Sequence, residues 1–269
     1  MIFKHYRFDT IRNKADQFRA EFWGDEIPVD IDAIIEFRLG LEIRPVKSLK
    51  SVYDIDGMLS RDLSIIFVDN DMYSDIRYES RLRFTLAHEI GHLVLHRDFY
   101  LNQNFENAGD WLDIIQSLYP NDLDWYERHA NEFAGRLLVP GDQLTKEISA
   151  INDEIEKPKE KAVELDLGDE MERWVISAVA RKVCQKFQVS SQTIEIRMIE
   201  RVLILNLNKS LIGWMKNRMF EIFLISRLSA SLPGAIASVL KLTISAIYSG
   251  NRQRIQAQAS ALLLFKSFY

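Results

Sequence analysis

Residues His88-Glu89-Ile90-Gly91-His92 form an HExxH pattern. On a helix, four residues turn ~400°, so His88 and His92 share one face, ~6 Å apart along the axis. Two imidazoles so placed can grip one zinc ion at ~2.0–2.1 Å. Glu89 lies ~100° around, beside that face, where it reaches a water on the metal rather than the metal itself. The chain has five His and 19 Glu in 269 residues. Random placement would produce about 0.007 such motifs, so the pattern carries information.

Catalytic zinc needs a third protein ligand and one open position. His96 is on the same stretch, but eight residues is ~12 Å of rise, too far from His88 for one tetrahedral site. Its expected role is support for a ligand imidazole or contact with the last carbonyls of the helix. A His six residues after His92 is absent, because position 98 is Asp and position 95 is Leu. The third ligand must then come from another segment, and Glu127-Arg128-His129-Ala130-Asn131-Glu132 is the best one. Glu127 and Asn131 are one helical turn apart. The first can bind metal while the second accepts a hydrogen bond from a ligand imidazole. Glu106, Asp110 and Glu132 remain rivals for the third ligand. Tyr126, His129, Tyr100 and Tyr119 are candidates to stabilise an oxyanion.

Two helices must present these groups. One starts at a cap on Ser74 or Asp75 and runs to about His96, with Leu82, Leu86, Ile90, Leu93 and Val94 forming its apolar stripe. The other runs from about Asp122 to Leu138 and stops at Pro140-Gly141. Upstream, Ile11, Ala15, Phe18 and Phe22 predict a helix over 10–23, and Asp30 can cap a second one that ends at Gly40. Leu41–Val46, Ser51–Leu59 and Leu63–Val68 read as strands of a small sheet. Residues 98–121 are polar and read as a loop or lid, with Trp111, Ile114, Ile115 and Leu118 able to cover a cleft. Gly141–Ile151 reads as a helix and the charged stretch 152–168 as a linker. Residues 169–200 form two helices around Phe187-Gln188-Val189-Ser190, a hairpin in which Ser190-Ser191 cap the second helix.

Composition narrows the class. At 47% hydrophobic and 27% charged, the chain is globular rather than disordered or fibrous. One cysteine, Cys184, excludes an internal disulfide and a Cys-rich zinc module. The net charge of −5 hides a division. Residues 201–269 hold nine Lys/Arg against one acid, whereas residues 1–200 hold 25 basic against 38 acidic residues. The acidic body is a poor background for gripping a phosphate backbone, and the second hairpin helix carries Glu195 and Glu200 against Arg197. Direct nucleic-acid binding is therefore not expected. The stretch 228–248 is apolar but contains Pro233 and Lys241, so it is weak as a membrane contact. The first residues, MIFKHYRFDTIRNKADQ, lack the apolar core of a secretory signal, and a cytoplasmic location is expected. The expected plan is α+β and mostly helical. A zincin-like domain over 1–140 holds a small β-sheet beside the HExxH helix, a helical region follows over 141–200, and a basic apolar tail over 201–269.

The run Arg83-Phe84-Thr85-Leu86-Ala87-His88-Glu89-Ile90-Gly91-His92-Leu93-Val94-Leu95-His96, followed by Glu127-x-x-Ala130-Asn131-x-Phe133-Ala134-x-x-Leu137-Leu138-Val139-Pro140, closely resembles the ImmA/IrrE family of zinc metallo-endopeptidases. Ile27-Pro28-Val29-Asp30 and Asp54-Ile55-Asp56-Gly57 also look like that family, and the likeness spans roughly residues 10–200. The resemblance implies Zn2+ held by His88, His92 and Glu127, Glu89 as catalytic base, and Asn131 in the position that the family fills with Asn or Asp. It also implies a protein substrate, a helix-turn-helix DNA-binding repressor, cut in stress or mobile-element control. The alternative is a metal-binding regulator or toxin–antitoxin component that acts by binding.

Overall fold

The computed structural model describes residues 4–151 and 171–204. The charged stretch 152–168 and the tail beyond 204, with its apolar segment 228–248, lie outside the described residues. Residues Met1–Met198 form one compact unit. It is mostly helical with one three-stranded sheet, the α+β plan expected from the sequence.

Helix α1 (Phe8–Phe22) buries Ile11, Ala15 and Phe18, the apolar spacing that predicts it. In α2 (Ile31–Ala33), the Asp30 carboxylate accepts from Ala33 N at 3.0 Å, and a π turn over Ile34–Arg38 carries the chain to Gly40 at φ +66°. Strand β1 (Glu42–Val46) pairs parallel with β3 (Ile65–Asp69), and β2 (Gly57–Leu59) pairs antiparallel with β3, giving the order β1-β3-β2. Strand β2 is thus an edge. It lies close to the HExxH helix: a Cβ on Gly57 would stand 2.6 Å from Thr85 Cγ2, so any side chain there would have to displace that methyl.

The expected strand over Ser51–Leu59 is half wrong. Its first part is the helix α3 (Leu49–Tyr53), bracketed by left-handed Ser48 and Asp54 at φ 62° and 57°. Buried Leu49 anchors it, and the Asp69 carboxylate accepts from Lys50 N at 2.8 Å. A long-range cap therefore overrides the local β preference. The same carboxylate accepts from Asp71 N and Met72 N to start α4 (Asn70–Ser74). Asp75 does act as a cap, but for the 3₁₀ turn Ile76–Tyr78, and the HExxH helix α5 (Glu79–Leu95) starts only after it.

The expected loop over 98–121 is mostly helical. It holds α6 (Arg97–Leu101) and α7 (Ala108–Gln116), the latter capped by Asn107, whose side chain accepts from Asp110 N at 3.0 Å. Its polar composition hides an aromatic cluster, Phe99, Tyr100, Phe105 and Trp111, which pins both short helices to the body. Helix α8 (Pro120–Leu138) opens on Pro120 and buries Ala130, Phe133, Ala134, Leu137 and Leu138. Helix α9 (Gly141–Ala150) follows. The hairpin is α10 (Met171–Phe187) and α11 (Ser191–Ile204), where Ser190 Oγ accepts from Thr193 N. Among the described residues, no helix is long and apolar enough to cross a membrane.

Candidate metal centre

Among the described residues, helices α5 and α8 make the most extensive helix–helix contact, and Gly91 lets them close up. A Cβ at that position would stand 3.0 Å from Ala130 Cα and 3.1 Å from Ala130 O. With none there, the backbones close up, and Glu127 and Asn131, which flank Ala130, come opposite His88.

His88 Nε2 and His92 Nε2 face each other at 2.9 Å, and Glu127 Oε2 is 3.2 Å from His88 Nε2. One donor atom from each of His88, His92 and Glu127 lies within 4.8 Å of the others, a group compatible with a metal ion. The donor set of two imidazole nitrogens and one carboxylate oxygen is that of catalytic zinc, and both Nδ1 atoms are turned away to other partners. His88 Nδ1–H donates to Asn131 Oδ1 at 3.0 Å, and His92 Nδ1 meets His96 Nδ1 at 2.9 Å. The residues present therefore fit the ion that the pattern implies. His88, His92, Glu127, Asn131 and His96, singled out by spacing and by the family resemblance together, lie next to one another.

Glu89 sits beside this group, nearly fully buried. Its Oε2 has no hydrogen-bond partner among the described residues. Burial pushes its carboxyl up to about 7, with His88 opposing, Glu127 adding to the rise, and the Leu59 backbone on edge strand β2 favouring the charged form. Burial works against a charge on His88, but its hydrogen bond and charge contact with Glu127 outweigh that and raise it. Burial holds His92 well below the ordinary histidine value, His96 down to about 3 and His129 down to about 4.

A cavity of about 380 Å³ opens on the site. Ile55, Phe84, Trp111, Leu112 and Ile115 give it apolar walls, and Asp54, Asp56 and Gly57 line it from the β2 side. Of the expected cleft-covering residues, Trp111 and Ile115 do line it, and Leu112 joins them from α7.

The rival ligands are placed elsewhere. The Glu132 carboxylate accepts from Arg12 Nε at 2.5 Å and lies 3.7 Å from Arg197 Nη1. The Asp110 carboxylate accepts from Glu106 N and from Asn107 Nδ2, closing its own turn. Of the oxyanion candidates, Tyr100 and Tyr126 line the cavity, and burial raises both hydroxyls well above the ordinary value. Tyr119 is exposed, at the solvent end of α8, and His129 is fully buried behind His96. The arrangement of Tyr126, stacked on His92 at 4.1 Å and on His96 at 4.5 Å, was not readable from spacing because the stack crosses two helices.

No curated protein matches the chain. Residues 73–198, which hold the two ligand helices and the hairpin, match the family model Peptidase_M78, the IrrE N-terminal-like domain. Residues 73–198 therefore carry a metallopeptidase domain similar to that of the ImmA/IrrE family.

Proposed function

We propose that this chain is a zinc-dependent endopeptidase that hydrolyses a peptide bond in a protein substrate, a helix-turn-helix repressor. The observation that carries the reading is the convergence of His88 Nε2, His92 Nε2 and Glu127 Oε2, with the buried Glu89 carboxylate alongside. When bound there, a zinc ion supplies Lewis acidity that lowers the pKa of a water and polarises the scissile carbonyl.

The chain's own groups do the rest. Glu89 Oε2 takes the proton from the attacking water and passes it to the leaving amine nitrogen. Asn131 Oδ1 holds the His88 ring by its Nδ1–H, keeping Nε2 aimed into the site. The Tyr100 and Tyr126 hydroxyls line the cavity, stay protonated at neutral pH and hydrogen-bond to each other, and Tyr100 is our candidate donor to a developing oxyanion. Edge strand β2 and the apolar walls suit an extended peptide that presents a bulky apolar side chain.

The repressor as substrate rests on the family resemblance, and the acidic body over 1–200 complements a basic DNA-binding partner. Direct DNA reading by α11 is not favoured, because Arg197 is buried toward Glu132. The test is to incubate the zinc-loaded protein with the repressor encoded beside it and read the products by mass spectrometry. A single cut that disappears in Glu89→Gln supports the reading. Stable binding of the repressor without a cut, at full zinc occupancy, would replace it with the regulator that acts by binding.

A further inference from the structure

Pairing fixes which backbone groups strand β2 turns outward. Asp69 N donates to Asp56 O, Ser60 N donates to Ile65 O, and Met58 lies opposite Phe67. Bonded pairs alternate along an antiparallel ladder, so Asp56, Met58 and Ser60 turn their backbone groups toward β3. Gly57 and Leu59 turn theirs outward, to the edge that no described strand covers. That edge borders the metal centre. A Cβ on Gly57 would stand 3.5 Å from Glu89 Cγ, and the Leu59 backbone acts on the same carboxylate.

Side chains alternate between the two faces of the sheet. Leu59, Ile66 and Val68 are fully buried on the face that packs on α5. Met58 and Phe67 stand on the opposite face, where a second cavity of about 660 Å³ opens. Leu101, Phe105 and Ala108, from the α6–α7 segment, wall it, and Leu101 is 46% exposed. This cavity shares no lining residue with the one at the metal centre. Two adjacent residues of one edge strand thus line different cavities, Gly57 the first and Met58 the second.

A peptide added to this edge would bond to Gly57, and directly opposed residues put their side chains on the same face. The incoming residue opposite Gly57 then points to the metal side, and its neighbours point to the Met58 side. We propose that the second cavity is a specificity subsite. One extended substrate segment fills the metal-side cavity with one side chain and the cavity beside Met58 with the apolar side chain of an adjacent residue. Adjacent side chains on a helix are only ~100° apart, so the segment must be extended when it is cut. This inference rests on the reading of the chain as an endopeptidase.

The test incubates the zinc-loaded full chain with a synthetic library of short randomised peptides and reads the cut sites by mass spectrometry. The neighbouring repressor is cut in parallel. Wild type is expected to prefer apolar side chains at two adjacent positions. Leu101→Glu is expected to move the preference at one of the two from Leu toward Lys, shifting that kcat/KM ratio about tenfold, and to leave the other position as it was. Ala108→Phe fills the same cavity and is expected to lower the preference for a large side chain at that same position about tenfold. Should Ala108→Phe not fold, Leu101→Glu decides, because Leu101 is exposed. The absence of an adjacent pair of apolar preferences, or a pair that neither folded variant moves, would overturn the inference. Cleavage of the repressor but of no library peptide would also overturn this inference alone, whereas cleavage of neither would overturn the peptidase reading itself.

Discussion

Gly91 of α5 and Ala130 of α8 are in backbone contact, so close that one methyl group at position 91 would stand 3.0 Å from Ala130 Cα. The neighbours in the way are backbone atoms and Phe133 Cβ, which have little room to yield. Gly91→Val is therefore expected to lower stability by about 1–3 kcal/mol through overpacking. The helices should part, and zinc affinity should fall with stability. Thermal unfolding and chelator competition on the same samples check this. A variant that binds zinc with wild-type affinity would show that the helix separation does not set the ligand geometry.

Removing the Glu127 carboxylate tests the candidate metal centre directly. Glu127→Ala should weaken zinc by about 10-fold to 100-fold or more, while the metal-free fold stays intact, because the Glu127 side chain is half exposed. Chelating zinc from the wild type should lower its unfolding free energy by about 2.7 kcal/mol relative to a sample at 100 times the dissociation constant, and should leave Glu127→Ala nearly unaffected. Calorimetry with and without chelator gives the comparison.

Glu89→Gln should retain zinc and lose about 10²–10⁴-fold of the cleavage rate, since the amide cannot take a proton. It should also gain stability at neutral pH, or lose none, because a buried carboxyl without a partner on Oε2 is replaced by a neutral group. Cleavage rate and zinc content measured together separate this from simple loss of the site.

Asp69 predicts an acid-sensitive step away from the metal. Burial opposes its charge, but three backbone N–H groups, from Lys50, Asp71 and Met72, outweigh burial and lower its pKa. Its folded value lies below its unfolded value. The stabilisation is therefore present above the ordinary aspartate pKa of about 4 and is lost as pH falls through the lower folded value. Asp69→Asn should cost about 1–2 kcal/mol at pH 7 and much less near pH 2. Denaturant midpoints across that range test the sign; an equal cost at both ends would count against the carboxylate's role.

Local signals carried most of the metal centre. The four-residue period puts His88 and His92 on one face, and the same period pairs Glu127 with Asn131, so both halves were legible before any fold was known. What joins them was partly legible, as Gly91 marks a close approach without naming Ala130. Contacts across helices left no trace. The meeting of His96 with His129 depends on the register of α5 against α8, and neither residue's spacing within its own helix reports it. The polar stretch 98–121 hid two helices because its few aromatics pack on one another rather than at helical period. Residues 49–53 were misread because their cap comes from Asp69, twenty positions on.

Helix α8 faces the candidate metal centre with Glu127 and Asn131 and, one or two turns later, holds Arg12 through Glu132, while Arg136 donates to Asp16 on α1. Arg197 from the hairpin also approaches Glu132. A saturation scan along this helix should then find no run of permissive positions between 126 and 138. Tolerance should survive only on the outward strip marked by Asp124 and Arg128, which pair with each other in solvent. Drift in the sequence of this segment is thus confined to a narrow ribbon, and variation that elsewhere would adjust only packing is coupled here to the chemistry.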